Sequence, residues 1–243
     1  MCKGMLYKKA LVVGGSRGIG KGVVNAFQGL GYDTYYFSRT PKPDERVQSS
    51  RPYHSSQHIE VDLNSEKSIT KGFEEYDRYE DKLDILVNVA GINYCKTHED
   101  ITVKEWDEVL NTNLRSFFIT CQEGIRRFGQ TGKIVNVSSI AGRSKSLVSG
   151  VHYTASKAGI IGLTRQLAQE VSDININCVC PSQTMTEMLK ESMTKKEQKE
   201  LVSKIPLKRL ATVEDIVKPI LFLCSDNAAY IHGTCLDING GQL

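Results

Sequence analysis

A tyrosine and a lysine four residues apart are the pair in this sequence with the clearest chemical meaning. Tyr153 and Lys157 stand in the run YTASK, and residues four apart share one face of a helix. A free phenol has a pKa of about 10 and is a poor proton shuttle near pH 7, whereas a nearby ammonium group favours the phenolate and lowers that pKa. The spacing therefore predicts an acid–base site in which Tyr153 exchanges a proton with a substrate.

Two polar positions upstream extend this pair into a candidate catalytic set. Ser139 closely follows the apolar run KIVNV at 133–137, and the active sites of α/β proteins collect at the ends of such strands. Ser138 is the alternative hydroxyl. Asn113, in the run NTNL, is the fourth candidate, with a purely structural polar contact as the alternative role for its side chain.

A glycine-rich turn near the N-terminus predicts a dinucleotide site. The apolar run ALVV at 10–13 leads into GGSRGIG at 14–20, and a helix-like stretch follows. Glycines allow a tight turn and a close approach of the backbone to a pyrophosphate, while the free N–H groups of the helix N-terminus face the phosphates. A lone glycine pattern is weak evidence, but this one lies at the strand–helix turn where the mechanism requires it. The expected contacts come from Gly14, Ser16, Arg17, Gly18, Ile19 and Gly20.

The end of the second predicted strand indicates which nicotinamide cofactor to expect. An acidic residue there would accept hydrogen bonds from the ribose hydroxyls of NAD, but the chain reads FSRT at 37–40. Arg39 can hold a 2′-phosphate by charge-assisted hydrogen bonds, and Arg17 adds a second positive charge nearby. The sequence therefore predicts NADPH rather than NADH, with Ser38 and Arg39 at the cofactor. The alternative is that both arginines are solvated surface groups.

Alternating apolar runs and helix-length stretches predict the fold class. Two of the helical stretches begin with capping-box signals, at Thr102 and Thr212, and the alternation implies a parallel sheet covered on both faces. We expect a single Rossmann-like α/β domain over residues 1–243, with a doubly wound sheet of about seven strands. A polar, proline-containing loop is expected at 40–57. The predicted strands are ALVV at 10–13, TYYF at 34–37, HIEV at 58–61, DILV at 84–87, KIVNV at 133–137, NINCV at 175–179 and TCLDI at 234–238.

The composition is that of an ordinary globular protein and excludes several classes of function. Apolar residues make up 40% and charged residues 24%, and the net charge of +3 lacks the dense basic stripe of a nucleic-acid binder. The seven cysteines include no CxxC spacing, so we expect no disulfide framework and no metal site, with Cys178 and Cys180 as packed thiols. No apolar run approaches the ~20 residues of a membrane span. A cytoplasmic location is expected, with a mitochondrial or plastid matrix as the alternative.

Taken together, these motifs resemble the short-chain dehydrogenase/reductase family from Lys9 to Leu243, and most of all its 3-oxoacyl-carrier-protein reductase and carbonyl reductase branches. The resemblance implies that NADPH delivers a hydride to a carbonyl carbon while Ser139 holds the carbonyl oxygen. It also implies that Tyr153 donates the proton, and that Lys157 tunes this tyrosine and contacts the nicotinamide ribose. Asn113 and a water molecule are expected to resupply the proton.

Further cofactor contacts follow from the same resemblance, although the chain departs from the family pattern at three turns. Val13 stands where the family has threonine, Val89 replaces the second asparagine of the N-N-A-G turn, and Ser182 replaces a glycine. The remaining positions match well enough for contacts to be expected. The residues concerned are Asp62, Leu63, Asn88, Ala90, Gly91, Pro181, Thr184 and Thr186.

The sequence leaves the substrate open between three hypotheses. The overall pattern favours a 3-oxoacyl thioester, with an acyl carrier protein as a candidate partner docking on Arg126 and Arg127, but VSDI at 171–174 supplies an acid where carrier-protein reductases have a second basic residue. Arg143 and Lys145 suit an anionic small substrate instead, and favour another ketone–alcohol pair, such as a sugar derivative or a small diketone. A cofactor-binding subunit without turnover is the third hypothesis, and the intact catalytic set argues against it.

Three remaining features concern the surroundings of the site. Residues 186–210 alternate charged and apolar groups at helical spacing and resemble the mobile substrate lid of the family, with a solvated helix face as the alternative role for the lysines. His152 is expected to be a pocket wall rather than a catalyst. The resemblance also implies a homo-oligomer, a tetramer or a dimer, joined through helices around 103–128 and 153–171.

Overall fold

Seven parallel strands form the centre of the molecule. The computed structural model describes residues 7–40, 56–146, 148–187, 189 and 194–243. The strands are β1 (Lys9–Val13), β2 (Asp33–Ser38), β3 (Gln57–Glu60), β4 (Leu83–Asn88), β5 (Phe128–Val137), β6 (Asn175–Pro181) and β7 (Cys235–Ile238). They form one sheet in the order β3-β2-β1-β4-β5-β6-β7, and every neighbouring pair is parallel. All seven predicted strands are therefore confirmed, and only β5 begins clearly earlier than expected.

Helices connect the strands and cover both faces of the sheet. They are α1 (Gly18–Gly29), α2 (Glu66–Tyr76), α3 (Val103–Leu110), α4 (Ser116–Arg127), α5 (Ile140–Arg143), α6 (Val151–Glu170), α7 (Lys195–Lys204) and α8 (Val213–Leu223). A π-helical turn at Asn111–Arg115 joins α3 to α4. In the described part of the chain, no helix is both long enough and apolar enough to cross a bilayer. The predicted Rossmann-like fold, with helices on both faces of a doubly wound sheet, is confirmed.

The two faces of the sheet each support a hydrophobic core, which explains the continuous apolar character of the strands. Within β1, Ala10 and Val12 pack on one face with α1 and α8, whereas Leu11 and Val13 pack on the other with β2, β3 and α2. Successive side chains of a strand point to opposite faces, so nearly every position of a strand covered on both sides faces a hydrophobic core. The sequence ALVV meets this requirement.

Three threonine caps begin helices that the sequence pattern also marks. Thr102 and Thr212 form the predicted capping boxes, and each threonine side chain accepts from the backbone N–H three residues later. A third box, Thr194 with Glu197, begins α7; it was not predicted, although the same T-x-x-E spacing marks it in the sequence. Most of the polar loop expected at 40–57 falls at 41–55, outside the described residues.

The strand order reverses between β1 and β4, and this reversal determines where a ligand can bind. Helices leave β1 and β4 toward opposite sides, so a crevice opens beyond the carboxyl ends of these two strands. Val13 pairs with Asn88 at that edge, and Asn88 pairs in turn with Asn136 on β5. The glycine turn after β1, the residues after β4 and the serines after β5 are thereby brought to one edge of the sheet.

Candidate active site

A cleft of about 960 Å³ runs along this edge of the sheet. Its walls come from the turns after the strands, from α7 and from the last two residues of the sequence. Most of the residues predicted for the site line it together. They are Gly14, Ser16, Arg17, Gly18, Ile19, Gly20, Ser38, Arg39, Asp62, Leu63, Ala90, Gly91, Ser139, Tyr153, Lys157, Pro181, Thr184 and Thr186.

The glycine turn leaves no room for side chains at Gly14, Gly15 and Gly20. Gly14 has φ +90°, and a Cβ atom there would lie 2.7 Å from the backbone of Ala90. A Cβ atom at Gly20 would overlap the carbonyl oxygen of Gly14, because α1 packs directly against the turn. Backbone N–H groups at the start of α1 therefore face the cleft without shielding, which is the arrangement that binds a pyrophosphate.

Positive charge lines the neighbouring part of the cleft, beyond the ends of β2 and β3. Arg17 and Arg39 both line it, and β2 ends at Ser38 without an acidic residue. The Ser38 hydroxyl donates to the carbonyl oxygen of Thr40 at 2.6 Å. Asp62 accepts from the backbone N–H of Asn64 at 3.0 Å, so its carboxylate closes its own turn. We call this part of the cleft, with the glycine turn, the cofactor end.

Ser139 rather than Ser138 has its hydroxyl available to a substrate. The Ser138 hydroxyl is buried and donates to the carbonyl oxygen of Lys157 at 2.7 Å, which fixes α6 to the end of β5. Ser139 caps the short helix α5, its oxygen accepting from the N–H of Ala141 at 3.1 Å, and its hydroxyl group lies close enough to that of Tyr153 to lower the pKa of the phenol. A substrate oxygen can therefore meet both hydroxyl groups at once.

Lys157 is buried beneath the cleft, with its ammonium group directed along the floor. Its Nζ donates to the carbonyl oxygen of Val137 at 2.9 Å and lies 5.6 Å from the centre of the Tyr153 ring. The ring of Phe117 is equally close on another side. Burial lowers the pKa of Lys157 to about 8, because removal from water penalises the charged form.

The pKa of Tyr153 moves in the direction opposite to the sequence-based expectation. Burial raises it, and the hydrogen bond with Ser139 offsets only part of that rise. Lys157 stands over the ring rather than beside the hydroxyl group, and burial is the main cause of the rise in pKa. The predicted lowering of the Tyr153 pKa by Lys157 is therefore not seen in this structure.

Two predicted site residues, Asn88 and Asn113, do not line the cleft, and both are fully buried. Asn88 donates to the Asn136 side chain at 2.9 Å and accepts from Thr120, so its amide joins β4, β5 and α4. The Asn88 side chain therefore supports the site from the interior and does not contact a cofactor directly. The reason is that the amide at the end of β4 points into the interior.

Asn113 supports the site from below through both atoms of its amide. It accepts from the N–H of Ile92 at 2.8 Å and donates to the carbonyl oxygen of the same residue at 2.9 Å, with a further bond to Ser156 at 3.1 Å. Both N–H groups of its amide are thereby used, and its Oδ1 accepts one hydrogen bond. The π-helical turn centred on Asn113 disturbs the regular helical bonding there, a feature often found at functional sites.

Four side chains whose roles were left open in the sequence are placed by the structure. Arg143 makes two hydrogen bonds to Asp237, at 3.0 and 3.1 Å, and does not line the cleft, whereas Lys145 does. His152 lies behind the cleft rather than in its wall, and its Nδ1 accepts from the N–H of Tyr153 at 2.8 Å. Ser182 lines the cleft without a positive φ, so the absence of glycine causes no backbone strain there.

The other half of the cleft, which we call the substrate end, is lined partly by the predicted lid segment at 186–210 and partly by residues that the sequence analysis did not single out. The segments that contribute are distant in the chain: the turns after β4 and β6, the loop after α5, α7 and the C-terminal residues. No local motif marks the residues outside the lid segment. The residues that line the substrate end include Asn93, Cys95, Ser146, Ser149, Gln183, Leu189, Leu201, Lys204, Gln242 and Leu243. Within the described ranges, no three His, Cys, Asp or Glu side chains gather in a way that could hold a metal ion.

Comparisons with known proteins agree with this geometry. A family model described as Enoyl-(Acyl carrier protein) reductase matches residues 13–242. The 3-oxoacyl-[acyl-carrier-protein] reductase FabG of Aquifex aeolicus is 35% identical over 245 residues, which cover 97% of each chain. The acetoacetyl-CoA reductase of Rhizobium meliloti is 35% identical over 242 residues, or 98% of this chain and 99% of that protein. A short-chain dehydrogenase from Leptospira borgpetersenii, solved with bound NAD+, matches with a TM-score of 0.86 and 28% identity over 97% of this chain and 92% of that one.

Proposed function

Because the chain belongs to the short-chain dehydrogenase/reductase family, we propose that it uses NADPH to reduce a 3-oxoacyl thioester to the 3-hydroxyacyl thioester. The observation that carries this proposal is the shared cleft. Ser139, Tyr153 and Lys157 line the same space as the glycine turn and Arg39. A carbonyl held by the two hydroxyl groups therefore lies within reach of a nicotinamide cofactor bound along the edge of the sheet.

The cofactor end fits NADPH by shape and by charge. The unshielded turn at Gly14 and Gly20 accepts a pyrophosphate, while Arg17 and Arg39 provide two cations where a 2′-phosphate would lie. The turns at Ala90 and Gly91, and at Pro181, Thr184 and Thr186, would hold the remainder of the cofactor. When bound, NADPH supplies the hydride for the carbonyl carbon.

The protein contributes the proton and the polarisation of the carbonyl. The hydroxyl groups of Ser139 and Tyr153 donate hydrogen bonds to the carbonyl oxygen, which stabilises the negative charge that develops as the carbonyl is reduced. Tyr153 then transfers its proton to that oxygen. Its raised pKa suits reduction, since the phenol stays protonated and able to donate at neutral pH. The ammonium group of Lys157, 5.6 Å from the centre of the Tyr153 ring, is the cation that faces the phenolate ring after this transfer.

Proton resupply passes through the floor of the cleft in this proposal. Lys157 and Asn113 both lie near Gly91, where a Cβ atom would be 3.4 Å from the Nζ of Lys157 and 3.6 Å from the Oδ1 of Asn113. Because both N–H groups of the Asn113 amide are bonded, we infer that its backbone carbonyl in the π-helical turn helps to hold a water molecule beside Lys157. Asn113 is therefore a positioning residue.

The relatives support a thioester substrate. The charged residues of α4 help to decide whether the acyl group is attached to coenzyme A or to an acyl carrier protein. Arg127 is largely buried and is held by Asp77 and Glu123, and Arg126 pairs with Glu123. Only Arg126 is well exposed, with 60% of its side chain accessible. The presence of one well-exposed arginine instead of two favours a coenzyme A thioester over a carrier-protein substrate. Another ketone–alcohol pair remains the second candidate.

Two features of the surroundings complete the proposal. Leu189 and the helix α7 line the substrate end, and we propose that residues 186–210 act as its lid. Large apolar side chains on α3, α4 and α6 are also exposed, as an interface between copies of this chain would require, so we propose a homo-oligomer. The exposed residues are Val103, Trp106, Phe118 and Val151. Sedimentation at micromolar concentration should show a dimer or a tetramer, and a monomer would contradict this part.

The direct test is NADPH oxidation, followed at 340 nm, with a panel of carbonyl compounds and with NADH in parallel. We expect rapid turnover of acetoacetyl-CoA with NADPH and much slower turnover with NADH. Turnover of a small diketone or a sugar derivative, without any of the thioester, would move the assignment to the second candidate. Binding of NADPH without reduction of any carbonyl compound would indicate a cofactor-binding subunit without turnover.

A further inference from the structure

Two lysines lie at the rim of the substrate end, on opposite segments of the chain. Lys145 belongs to the loop between α5 and α6, and Lys204 is the last residue of α7. Both line the cleft and both are exposed. In the part of the chain that the structure describes, neither side chain has an ion pair or a hydrogen bond.

No ion pair joins either lysine to an acidic side chain in the described lining of the cleft. The acidic residues in the lining of the described cleft are Asp62, Glu108 and Glu187. Asp62 closes its own turn at the cofactor end, and Glu108 accepts from the hydroxyl group of Tyr94 at 2.9 Å. Glu187 lies against the glycine turn, where a Cβ atom on Gly18 would be 4.0 Å from its carboxylate.

The nearby carboxylate of Asp237 is already neutralised. Arg143 holds it with two hydrogen bonds, and this pairing removes both groups from the charge balance at the rim. Lys145 is thus the cation of this loop that lines the cleft, and Lys204 faces the same space from α7. Two unpaired ammonium groups beside a cleft create a positive potential that attracts an anion.

We propose that Lys145 and Lys204 form an anion subsite that holds the phosphate end of a phosphopantetheine thioester. The inference rests on the proposed function and specifies its substrate class. The reactive carbonyl lies deep in the cleft between Ser139 and Tyr153, whereas the lysines lie at the exposed rim, where a long arm would emerge. A phosphate at the end of that arm accepts charge-assisted hydrogen bonds from ammonium groups.

The test compares thioesters that differ only in their phosphates. Wild-type protein and the double variant Lys145→Gln, Lys204→Gln are assayed with acetoacetyl-CoA, acetoacetyl-4′-phosphopantetheine and acetoacetyl-pantetheine, which has no phosphate. We expect the double variant to raise the KM for acetoacetyl-CoA about tenfold, as loss of charge-assisted hydrogen bonds at a partly screened site implies. Its kcat should change less than twofold, and its KM for acetoacetyl-pantetheine should not change. An effect that persists with the phosphopantetheine thioester assigns the pantetheine phosphate, and an effect confined to acetoacetyl-CoA assigns its nucleotide phosphates.

The matched control is Lys195→Gln, Lys199→Gln, which removes the same charge from α7 at positions that do not line the cleft. This variant should leave every KM unchanged. The KM for the phosphorylated thioesters should rise steeply with salt in the wild type and in this control, but not in the variant that lacks Lys145 and Lys204. An equal effect of the two double variants, or an equal effect on all three thioesters, would overturn the subsite. If the wild-type protein turns over none of the thioesters, the proposed function fails and the subsite with it.

Discussion

The cofactor end and the substrate end of the cleft are built in different ways. The cofactor end is a backbone surface, in which Gly14 and Gly20 have no room for side chains and the strands beneath are fully buried. The substrate end is a side-chain surface, in which exposed groups such as Lys145 and Lys204 come from segments far apart in the chain. The cofactor end therefore binds a ligand of one fixed shape, whereas substitution of a few side chains can change which ligand the substrate end binds.

Loss of the proton donor where the two ends meet should have the largest effect. Tyr153→Phe removes the hydroxyl group but keeps the ring against Lys157. We expect kcat to fall about 10³-fold, within the range for general acid–base catalysis, while the Kd for NADPH, measured by fluorescence, stays within twofold. The control Tyr79→Phe, at an exposed position, should leave both unchanged. Retained turnover in Tyr153→Phe would show that another group supplies the proton.

Removal of charge at the cofactor end should have the next largest effect, and only with the phosphorylated cofactor. Arg39→Ala should raise the KM for NADPH about tenfold to a hundredfold, since a hydrogen bond to a charged group contributes ~1.5–3 kcal/mol. The KM for NADH should not change. Arg78→Ala, which removes an exposed arginine outside the cleft, is the control. A parallel rise for both cofactors would contradict the assignment of Arg39 to the 2′-phosphate.

The backbone character of the cofactor end can be tested with two glycines of the same helix. Gly20→Ala places a methyl group on the carbonyl oxygen of Gly14, so we expect the free energy of unfolding to fall by about 1–3 kcal/mol and NADPH to bind several-fold more weakly. Gly29→Ala, whose Cβ atom would meet nothing within 4 Å, should leave NADPH binding unchanged. Denaturant unfolding and cofactor titration measure both effects. Equal behaviour of the two variants would argue against the tight turn.

Alkaline pH should produce the smallest effect, and it should come from Lys157. Its pKa is lowered to about 8, so the ammonium charge is lost as the pH rises through that value, whereas Tyr153 stays protonated because its pKa is raised. We expect kcat/KM for reduction to fall about twofold at pH 8 and more steeply above it, reporting an ionisation of the free enzyme. A profile that is flat to pH 10 would contradict the buried, weakly basic lysine.

The sequence predicted the strands and the cofactor end well because both depend on local pattern. Most strands are short apolar runs buried on both faces, and the glycine turn is one contiguous motif after β1. Arg39 was found for the same reason, since it follows directly from β2. The position of a residue along the chain is enough to predict a contact when the backbone itself makes that contact.

The sequence predicted the substrate end and the electrostatics poorly because both depend on packing. A motif gives the position of Asn88 and Asn113 but not the direction of their side chains, which point into the interior. Nothing local indicates that Lys204 and Gln242 line the same cleft as Tyr153. The rise in the pKa of Tyr153 likewise comes from burial, which a pair of residues in one helix cannot reveal.

The transfer of deuterium from one end of the cleft to the other tests the central claim most directly. The protein is incubated with acetoacetyl-CoA and NADPH that carries deuterium at both C4 positions of the nicotinamide, and the product is analysed by mass spectrometry. The account predicts 3-hydroxybutyryl-CoA with one deuterium, located at C3. Reduced product without deuterium, or no reduced product while NADPH is bound, would contradict it.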